Sequence, residues 1–268
     1  FNGTSGFAGS GDAGDISLKA GFYGNYDGGG NDIETNGTLS ANGGGGEGSG
    51  DGGEISLYAD GTVDVNAAIS TNDAENSSAV DVHGYGDVTI AASITSSGYD
   101  GDVDIVSGYN SVGINAAITT NDGEVDVYAF TSVTSDASGS ITTSGGDVNI
   151  YAGSYVELNA AIDTAGGEGS GNVDIYADGG SITLDSGASV TTGGGDVSGN
   201  ATSSINVYEA INSNGGGIYL DAGSSFYSST GGTLSSGGGL VDLDAGTFAR
   251  FYGAITTDGG NVDIDASS

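Results

Sequence analysis

The sequence predicts an all-β fold: a right-handed parallel β-helix, or β-solenoid, of about eleven coils of ~24 residues each. We expect it to form a single repetitive domain over residues 1–268. Two phrases of alternating apolar and polar residues recur along the chain, which has 55 glycines and few large apolar residues. Such a chain cannot fill a thick core, but it can fill a thin core that repeats along an axis.

The first recurring phrase is a glycine followed by alternating acidic and apolar residues. It reads GDVDIVSG at 101–108, GDVNIYAG at 146–153 and GNVDIYAD at 171–178. Because successive side chains of a strand point to opposite faces, we expect Val103 and Ile105 to point inward and Asp104 outward. Each copy of this phrase therefore predicts one short strand.

The second phrase predicts one further strand and a corner, and a third strand per repeat is left open. It reads VDVNAAIST at 63–71, VGINAAITT at 112–120 and VELNAAIDT at 156–164. Its last apolar residue marks each repeat: Leu39, Ile69, Ile94, Ile118, Ile141, Ile162, Val190, Ile211, Leu234 and Ile255. With a coil spacing of ~4.8 Å, about eleven coils form a rod of roughly 50 Å, and right-handed winding is the default.

These repeats are similar to those of a known family. The stretch GGDVNIYAGSYVELNAAIDT at 145–164 resembles the repeats of filamentous haemagglutinin-type adhesins, the large β-helical exoproteins of bacteria. The resemblance covers most of the chain, although this chain is more acidic than we would expect of the family. It implies secretion, a rod-like shaft and a role in adhesion or surface structure.

The charge balance excludes several classes of partner. Thirty-six acidic residues stand against two basic ones, which gives a net charge of −34. A surface of this charge repels nucleic acid and anionic lipid. No apolar run reaches the ~18 residues of a membrane span. The chain has no cysteine, so neither disulfides nor thiolate metal sites are available to it.

Read down the repeats, two outward positions of the first strand form acidic columns. The candidate ligands for cations are Asp81, Asp102, Asp104, Glu124, Asp126, Asp147 and Asp174. Neighbouring carboxylates repel one another, and two explanations for their stacking stay open. Ca²⁺, as a candidate cofactor, would bridge successive coils; alternatively, bulk ions screen a solvated acidic surface. The repeat motif GGxGxDxUx, which is typical of Ca²⁺-binding solenoids, does not occur intact.

The next outward position forms an aromatic column. It contains Tyr58, His83, Val106, Tyr128, Tyr151 and Tyr176. Such a column is typical of cross-strand packing. The alternative is glycan binding, in which Tyr58, Tyr128, Tyr151 and Tyr176 would stack on sugar rings. His83 is the only histidine and lies in this column, which favours a stacked surface role over catalysis.

Hydroxyl residues follow each repeat marker in two predicted columns. One contains Ser70, Thr95, Thr119, Thr142, Thr191 and Thr256, and beside it lie Thr71, Thr120, Thr143, Thr164, Thr192 and Thr257. Flat threonine arrays are typical of ice-binding solenoids, so an ice-binding module is an alternative function. Threonine also suits strands intrinsically. The candidate N-glycosylation sites are Asn2, Asn36, Asn76 and Asn200.

The sequence favours a scaffold over an enzyme, and we predict no catalytic residue. A polysaccharide-active enzyme that binds acidic sugars would need clustered cations, whereas Lys19 and Arg250 fall near opposite ends of the chain. Carboxylate pairs are available everywhere, so no particular pair stands out. We therefore expect a secreted or cell-surface scaffold of a bacterium or archaeon, structural or adhesive, with surface glycans as candidate partners.

The ends of the chain predict self-association or continuation. Neither FNGTSGFAG at 1–9 nor GNVDIDASS at 260–268 resembles the cap that normally blocks the end of a solenoid. We expect either a segment flanked by further solenoid repeats or a subunit that stacks head-to-tail with copies of itself. A head-to-tail contact of this kind builds open filaments.

Overall fold

The computed structural model describes residues 14–21, 31–43, 52–72, 79–97, 101–167 and 169–267. Regular structure in these residues is exclusively β-strand, without any helix. Accordingly, no helix of this part of the chain could span a membrane.

The described residues form thirty-one short strands. Their bounds are β1 (Ile16–Ala20), β2 (Ile33–Thr35), β3 (Leu39–Asn42), β4 (Ile55–Ala59), β5 (Val63–Val65), β6 (Ile69–Asn72), β7 (Val80–Gly84), β8 (Val88–Ile90), β9 (Ile94–Ser96), β10 (Val103–Ser107), β11 (Val112–Ile114), β12 (Ile118–Thr120), β13 (Val125–Ala129), β14 (Ser132–Ser135), β15 (Ile141–Thr142), β16 (Val148–Ala152), β17 (Tyr155–Leu158), β18 (Ile162–Asp163), β19 (Val173–Ala177), β20 (Ile182–Leu184), β21 (Val190–Thr191), β22 (Val197–Ala201), β23 (Ile205–Val207), β24 (Ile211–Asn212), β25 (Ile218–Ala222), β26 (Ser225–Ser228), β27 (Leu234–Ser235), β28 (Val241–Ala245), β29 (Phe248–Phe251), β30 (Ile255–Thr256) and β31 (Val262–Ala266).

The strands belong to three parallel sheets, and each coil contributes one strand to each sheet. Sheet 1 runs β1-β4-β7-β10-β13-β16-β19-β22-β25-β28-β31, sheet 2 runs from β2 to β29 and sheet 3 from β3 to β30, in both cases every third strand. Sheet 3 has ten strands, so the chain makes nine complete turns between β3 and β30. The predicted all-β parallel solenoid is confirmed. The third strand, which the sequence left open, begins at the marker residue, as at Ile118 in β12.

The core is a thin column of mostly aliphatic side chains inside the three sheets, and it includes the buried ring of Phe226. Val103 and Ile105 are both fully buried, whereas Asp104 between them is exposed. The same alternation holds through the middle of sheet 1, which confirms the inward pairs predicted from the first phrase. Each buried Val or Ile contributes about 1.5–3 kcal/mol relative to an exposed side chain. Every coil therefore adds its own increment of stability.

A glycine column forms the corner before sheet 1 and explains the glycine that opens the first phrase. A Cβ added to Gly146 would lie 2.1 Å from the Gly123 carbonyl oxygen of the preceding coil, and one added to Gly171 would lie 2.0 Å from the Gly146 oxygen. The backbones approach too closely here for any side chain. Glycine is required here by this close approach and not by an unusual backbone conformation, since neither residue has a positive φ.

Buried hydroxyl groups brace the same corner, and this corrects one of our predictions. Thr71, Thr120, Thr143, Thr164 and Thr192 are buried, although the sequence analysis placed them on the surface beside the outer threonine column. The Thr120 and Thr192 hydroxyls each donate a hydrogen bond of 2.6 Å to a glycine carbonyl three residues further on. A hydroxyl next to a tight corner is more stable when it donates a hydrogen bond to such a carbonyl than when it faces water. The reason is that a buried carbonyl without a hydrogen bond is costly.

Candidate functional site

The outer face of sheet 1 gathers most of the predicted site residues, and its register was predicted correctly. One column, which we call the acidic column, contains Ser17, Ser56, Asp81, Asp104, Asp126, Asn149, Asp174, Ser198, Tyr219, Asp242 and Asp263. Each residue pairs with the next one in the neighbouring coil. Stacking therefore brings Asp81, Asp104 and Asp126 together as predicted.

The other predicted acidic column has a structural role that the sequence analysis missed. Asp102 accepts a hydrogen bond of 2.9 Å from the backbone N–H of Glu124 in the next coil. Asp147 accepts one of 2.6 Å from the N–H of Asn172, and Asp196 one of 2.6 Å from the N–H of Gly217. These side chains link successive coils at the start of sheet 1. The recurrence of Asp, Glu or Asn just before each first strand was the available signal.

In the acidic column, the amide of Asn149 lies between the carboxylates of Asp126 and Asp174. The side-chain N–H of Asn149 donates to Asp126 at 2.9 Å and also to the carboxylate of Glu124. Asn149 thus neutralises part of the repulsion at the position where a bridging cation would otherwise be needed. No group of three His, Cys, Asp or Glu side chains within the described residues has the arrangement of a metal site.

Asp81 has the most strongly raised pKa in the acidic column. Burial raises the pKa of Asp81 from 3.8 to about 6, and hydrogen bonds and charge repulsion from Glu54 and Asp104 act in the same direction. Burial also raises the pKa of Asp104 and that of Glu124. Protonation is therefore a further way in which the acidic column relieves its charge.

The predicted tyrosine column is also present, and most of its rings contact one another. Tyr128 and Tyr151 stack with ring centroids 5.0 Å apart and an angle of 2° between the ring planes. Tyr151 and Tyr176 stack at 5.2 Å and 8°. These three rings therefore cover one another's faces, as cross-strand packing predicts. A sugar that stacks on a ring face finds only the outer faces of Tyr128 and Tyr176 available in this trio.

A second set of rings, which the sequence analysis missed, branches from this column. Tyr58 contacts His83 at 5.5 Å and His83 contacts Tyr85 at 5.7 Å. The chain of contacts continues through Tyr109 to Phe130. We call Tyr58, His83, Tyr85, Tyr109 and Phe130 the aromatic row. Its last three members lie in the turns between sheets 1 and 2, where alternation gives no signal.

His83 is part of this packing. Its ring lies between those of Tyr58 and Tyr85, which agrees with the predicted stacked role. Burial lowers the pKa of His83, so the ring is neutral at pH 7.

The outward hydroxyl column forms on sheet 3, and it is one residue wide. It runs Ser40, Ser70, Thr95, Thr119, Thr142, Asp163, Thr191, Asn212, Ser235 and Thr256. The two-column threonine face on which the ice-binding alternative rested does not form, because the second column is inside.

Two of the candidate glycosylation sites can be placed. Asn36 and Asn200 are exposed, Asn36 in the turn after β2 and Asn200 in β22. Asn200 occupies the tyrosine-column position next to Tyr176. Asn2 and Asn76 lie outside the described residues.

Comparisons with known proteins found no relative. No family model matches the chain, and neither curated proteins nor solved structures gave a match. The fold and its outer columns thus define a parallel β-solenoid, and the haemagglutinin-type resemblance stays a prediction.

Proposed function

We propose that this chain is an extracellular structural or adhesive scaffold, a rod- or filament-forming β-solenoid of a bacterial or archaeal cell surface. In this proposal the winding is right-handed, and partial turns at both ends bring the total to about eleven coils. Its main partners are further solenoid coils, either flanking repeats of a longer chain or copies of itself. The scaffold is not an enzyme.

The observation that carries this proposal is the stacking of equivalent strands from coil to coil in three continuous parallel sheets. Each coil covers the apolar side chains of its neighbour, as sheet 1 shows. Val262 and Ile264 of β31 are 48% and 40% exposed, whereas their partners Val241 and Leu243 in β28 are fully buried. One more coil stacked on β31 would cover these side chains. It would also pair the free backbone edge of that strand, and such edges are otherwise sites of association.

The distribution of charged and polar groups supports a scaffold rather than a catalyst. Lys19 lies on β1 and Arg250 on β29, near opposite ends of the described sheets, so they cannot act together on one anionic substrate. The acidic column repeats the same group from coil to coil. Such repetition suits a long surface with equivalent positions better than one reaction centre.

Electron microscopy and light scattering of the purified chain test this proposal. We expect rods that associate end to end, with an axial repeat of ~4.8 Å in any filament. The variant Val262→Asp/Ile264→Asp places charge on the stacking face and should leave short single rods. Its matched control is Asp242→Asn, on the outer face of the neighbouring strand, which should associate like the parent chain. A compact particle that cleaves a glycan would contradict the scaffold role.

A further inference from the structure

The aromatic row ends at an unusually exposed ring. Tyr109 is 55% and Phe130 is 54% exposed, and both lie at the corner between sheets 1 and 2. Their ring planes are tilted by 58°, with the centroids 6.1 Å apart. Tilted rings do not cover each other's faces as the stacked tyrosines do, so part of each face is open to a ligand.

A gap and then a carboxylate follow Phe130 along the rod axis. Phe130, Gly153 and Asp178 occupy the same position of successive coils, one residue beyond the paired alanines Ala129, Ala152 and Ala177. A Cβ added to Gly153 would lie 2.1 Å from the Phe130 carbonyl oxygen, so this position has no room for a side chain, and none stands between Phe130 and Asp178. At ~4.8 Å per coil, the backbone positions of Phe130 and Asp178 are about 10 Å apart along the axis.

The Asp178 carboxylate is exposed. It lies near the hydroxyl of Tyr151, in the tyrosine column beside Gly153, and burial together with the nearby charge of Asp178 raises the pKa of that hydroxyl. A cation over Gly153 would have an aromatic ring on one side and this carboxylate on the other. Cations bind aromatic faces within about 6 Å of the ring centroid, which matches a position one coil away from each group.

The chain's own cations already show this preference. Lys19 Nζ lies 5.7 Å from the ring centroid of Tyr58, at the opposite end of the aromatic row. The guanidinium carbon of Arg250 lies 5.7 Å from the ring centroid of Phe248. Both basic residues of a chain with 36 acidic ones thus pack over rings.

We propose that Phe130, Gly153 and Asp178 form a binding site for the guanidinium or ammonium group of a basic segment of a partner protein. The ring of Phe130 stacks on the face of the cation, and the carboxylate of Asp178 pairs with its positive charge. The net charge of −34 attracts such segments to the surface. This site goes beyond the scaffold role and does not depend on filament formation.

The surroundings favour an organic cation over the other ligands. A metal ion needs several oxygen atoms that converge on one point, whereas this site pairs one carboxylate with one ring. A glycan would use the ring but would gain nothing from the charge of Asp178. Variants that remove either the ring or the carboxylate charge therefore test the preference for a cation.

Fluorescence anisotropy with a labelled peptide of alternating Arg and Ser tests the proposal on the full chain at physiological salt. Phe130→Ser keeps the net charge and should weaken binding about two- to fivefold. Asp178→Asn should weaken it by up to about fivefold. Phe130→Tyr keeps the ring and should bind like the parent chain.

Two control variants separate this site from general attraction to an acidic rod. Tyr252→Ser removes an equally exposed ring elsewhere, and Asp221→Asn removes an equally exposed carboxylate. Both should bind the peptide like the parent chain. The proposal is wrong if Phe130→Ser binds like the parent, or if Asp221→Asn loses as much as Asp178→Asn. It is equally wrong if a neutral oligosaccharide binds in the same way and responds to the same variants. Far-UV circular dichroism of each variant verifies folding. The binding measurement does not require filaments, so a chain that forms none can be used as well.

Discussion

At the scale of single residues, the carboxylates of sheet 1 bring like charges about 5 Å apart, and the fold offsets this repulsion in different ways. Asp102 and Asp147 accept backbone N–H groups of the next coil. Asn149 donates to the carboxylates of Glu124 and Asp126 in the preceding coil. At Asp81, burial and then the neighbouring carboxylates of Glu54 and Asp104 raise the pKa to about 6, so protonation relieves the repulsion there.

We expect the chain to be more stable at pH 4.5 than at pH 7. The pKa of Asp81 is about 6 in the folded chain, against 3.8 ordinarily, so between these values the folded state binds a proton that the unfolded state lacks. This stabilisation is complete below about pH 4 and is lost as the pH rises through 6. Because Asp81 is only half-buried, solvent screening reduces it to about 1 kcal/mol, or about 2–4 °C in Tm. Thermal unfolding followed by circular dichroism measures it.

The variant Asp81→Asn provides the control for this pH dependence. It should raise the Tm at pH 7 and flatten the change between pH 4 and pH 6. A Tm that rises from pH 4.5 to pH 7 in the parent chain would contradict the assignment.

Gly146→Ala should destabilise the chain by about 1–3 kcal/mol, because the new Cβ would lie 2.1 Å from the Gly123 carbonyl oxygen and overpack the corner. Gly113→Ala is the matched control, since its Cβ would meet only Asn115 Nδ2, at 3.9 Å. Chemical denaturation of both variants measures the difference. Equal stability of the two variants would argue against the close stacking of the corner glycines.

At the scale of elements, the corners before sheet 1 from Thr120 to Thr257 each join a hydroxyl to a glycine carbonyl. We expect Thr192→Val to lower the free energy of unfolding by about 1–2 kcal/mol, because the Gly195 carbonyl loses its 2.6 Å partner. Thr191→Val, on the outside of β21, should be close to neutral. Denaturation curves decide between them, and a larger loss from the outer substitution would reverse our assignment of the two columns.

The acidic column also leads to a prediction about cations. Its carboxylates are spaced one coil apart and Asn149 donates to one of them, Asp126, so we expect screening by bulk ions rather than a dedicated Ca²⁺ site. The Tm at pH 7 should be the same in Ca²⁺ and Na⁺ at equal ionic strength, and a chelator should leave it unchanged. A Tm increase specific to Ca²⁺, and lost in Asp126→Asn, would instead establish the bridging ion.

The elements that the sequence predicted are those with strict alternation. Val103 and Ile105 could be placed inward, and Asp104 beside Asp126, because period two within a strand and the repeat between strands together determine the register. The corner residues follow neither the two-residue alternation nor the repeat between strands. Tyr109 and Phe130 were missed for that reason, and the inner threonines were misplaced because a corner hydroxyl can serve a backbone carbonyl as well as water.

At the scale of the whole molecule, the solenoid is a one-dimensional structure. Each strand pairs only with its equivalents in the coils before and after it, as β13 does with β10 and β16. Stability is then approximately a sum over coils and their interfaces. This coil-to-coil pairing is the physical basis of the proposed rod.

The measurement that tests this account most directly is the distance between spin labels on the outward column of sheet 3, by double electron–electron resonance. The chain has no cysteine, so labels attach only to introduced ones. Ser70 and Thr191 are five coils apart, and Ser70 and Thr256 eight. At ~4.8 Å per coil we predict distances of about 24 Å and about 38 Å. Distances that do not grow with the number of coils would contradict the solenoid and every column built on it.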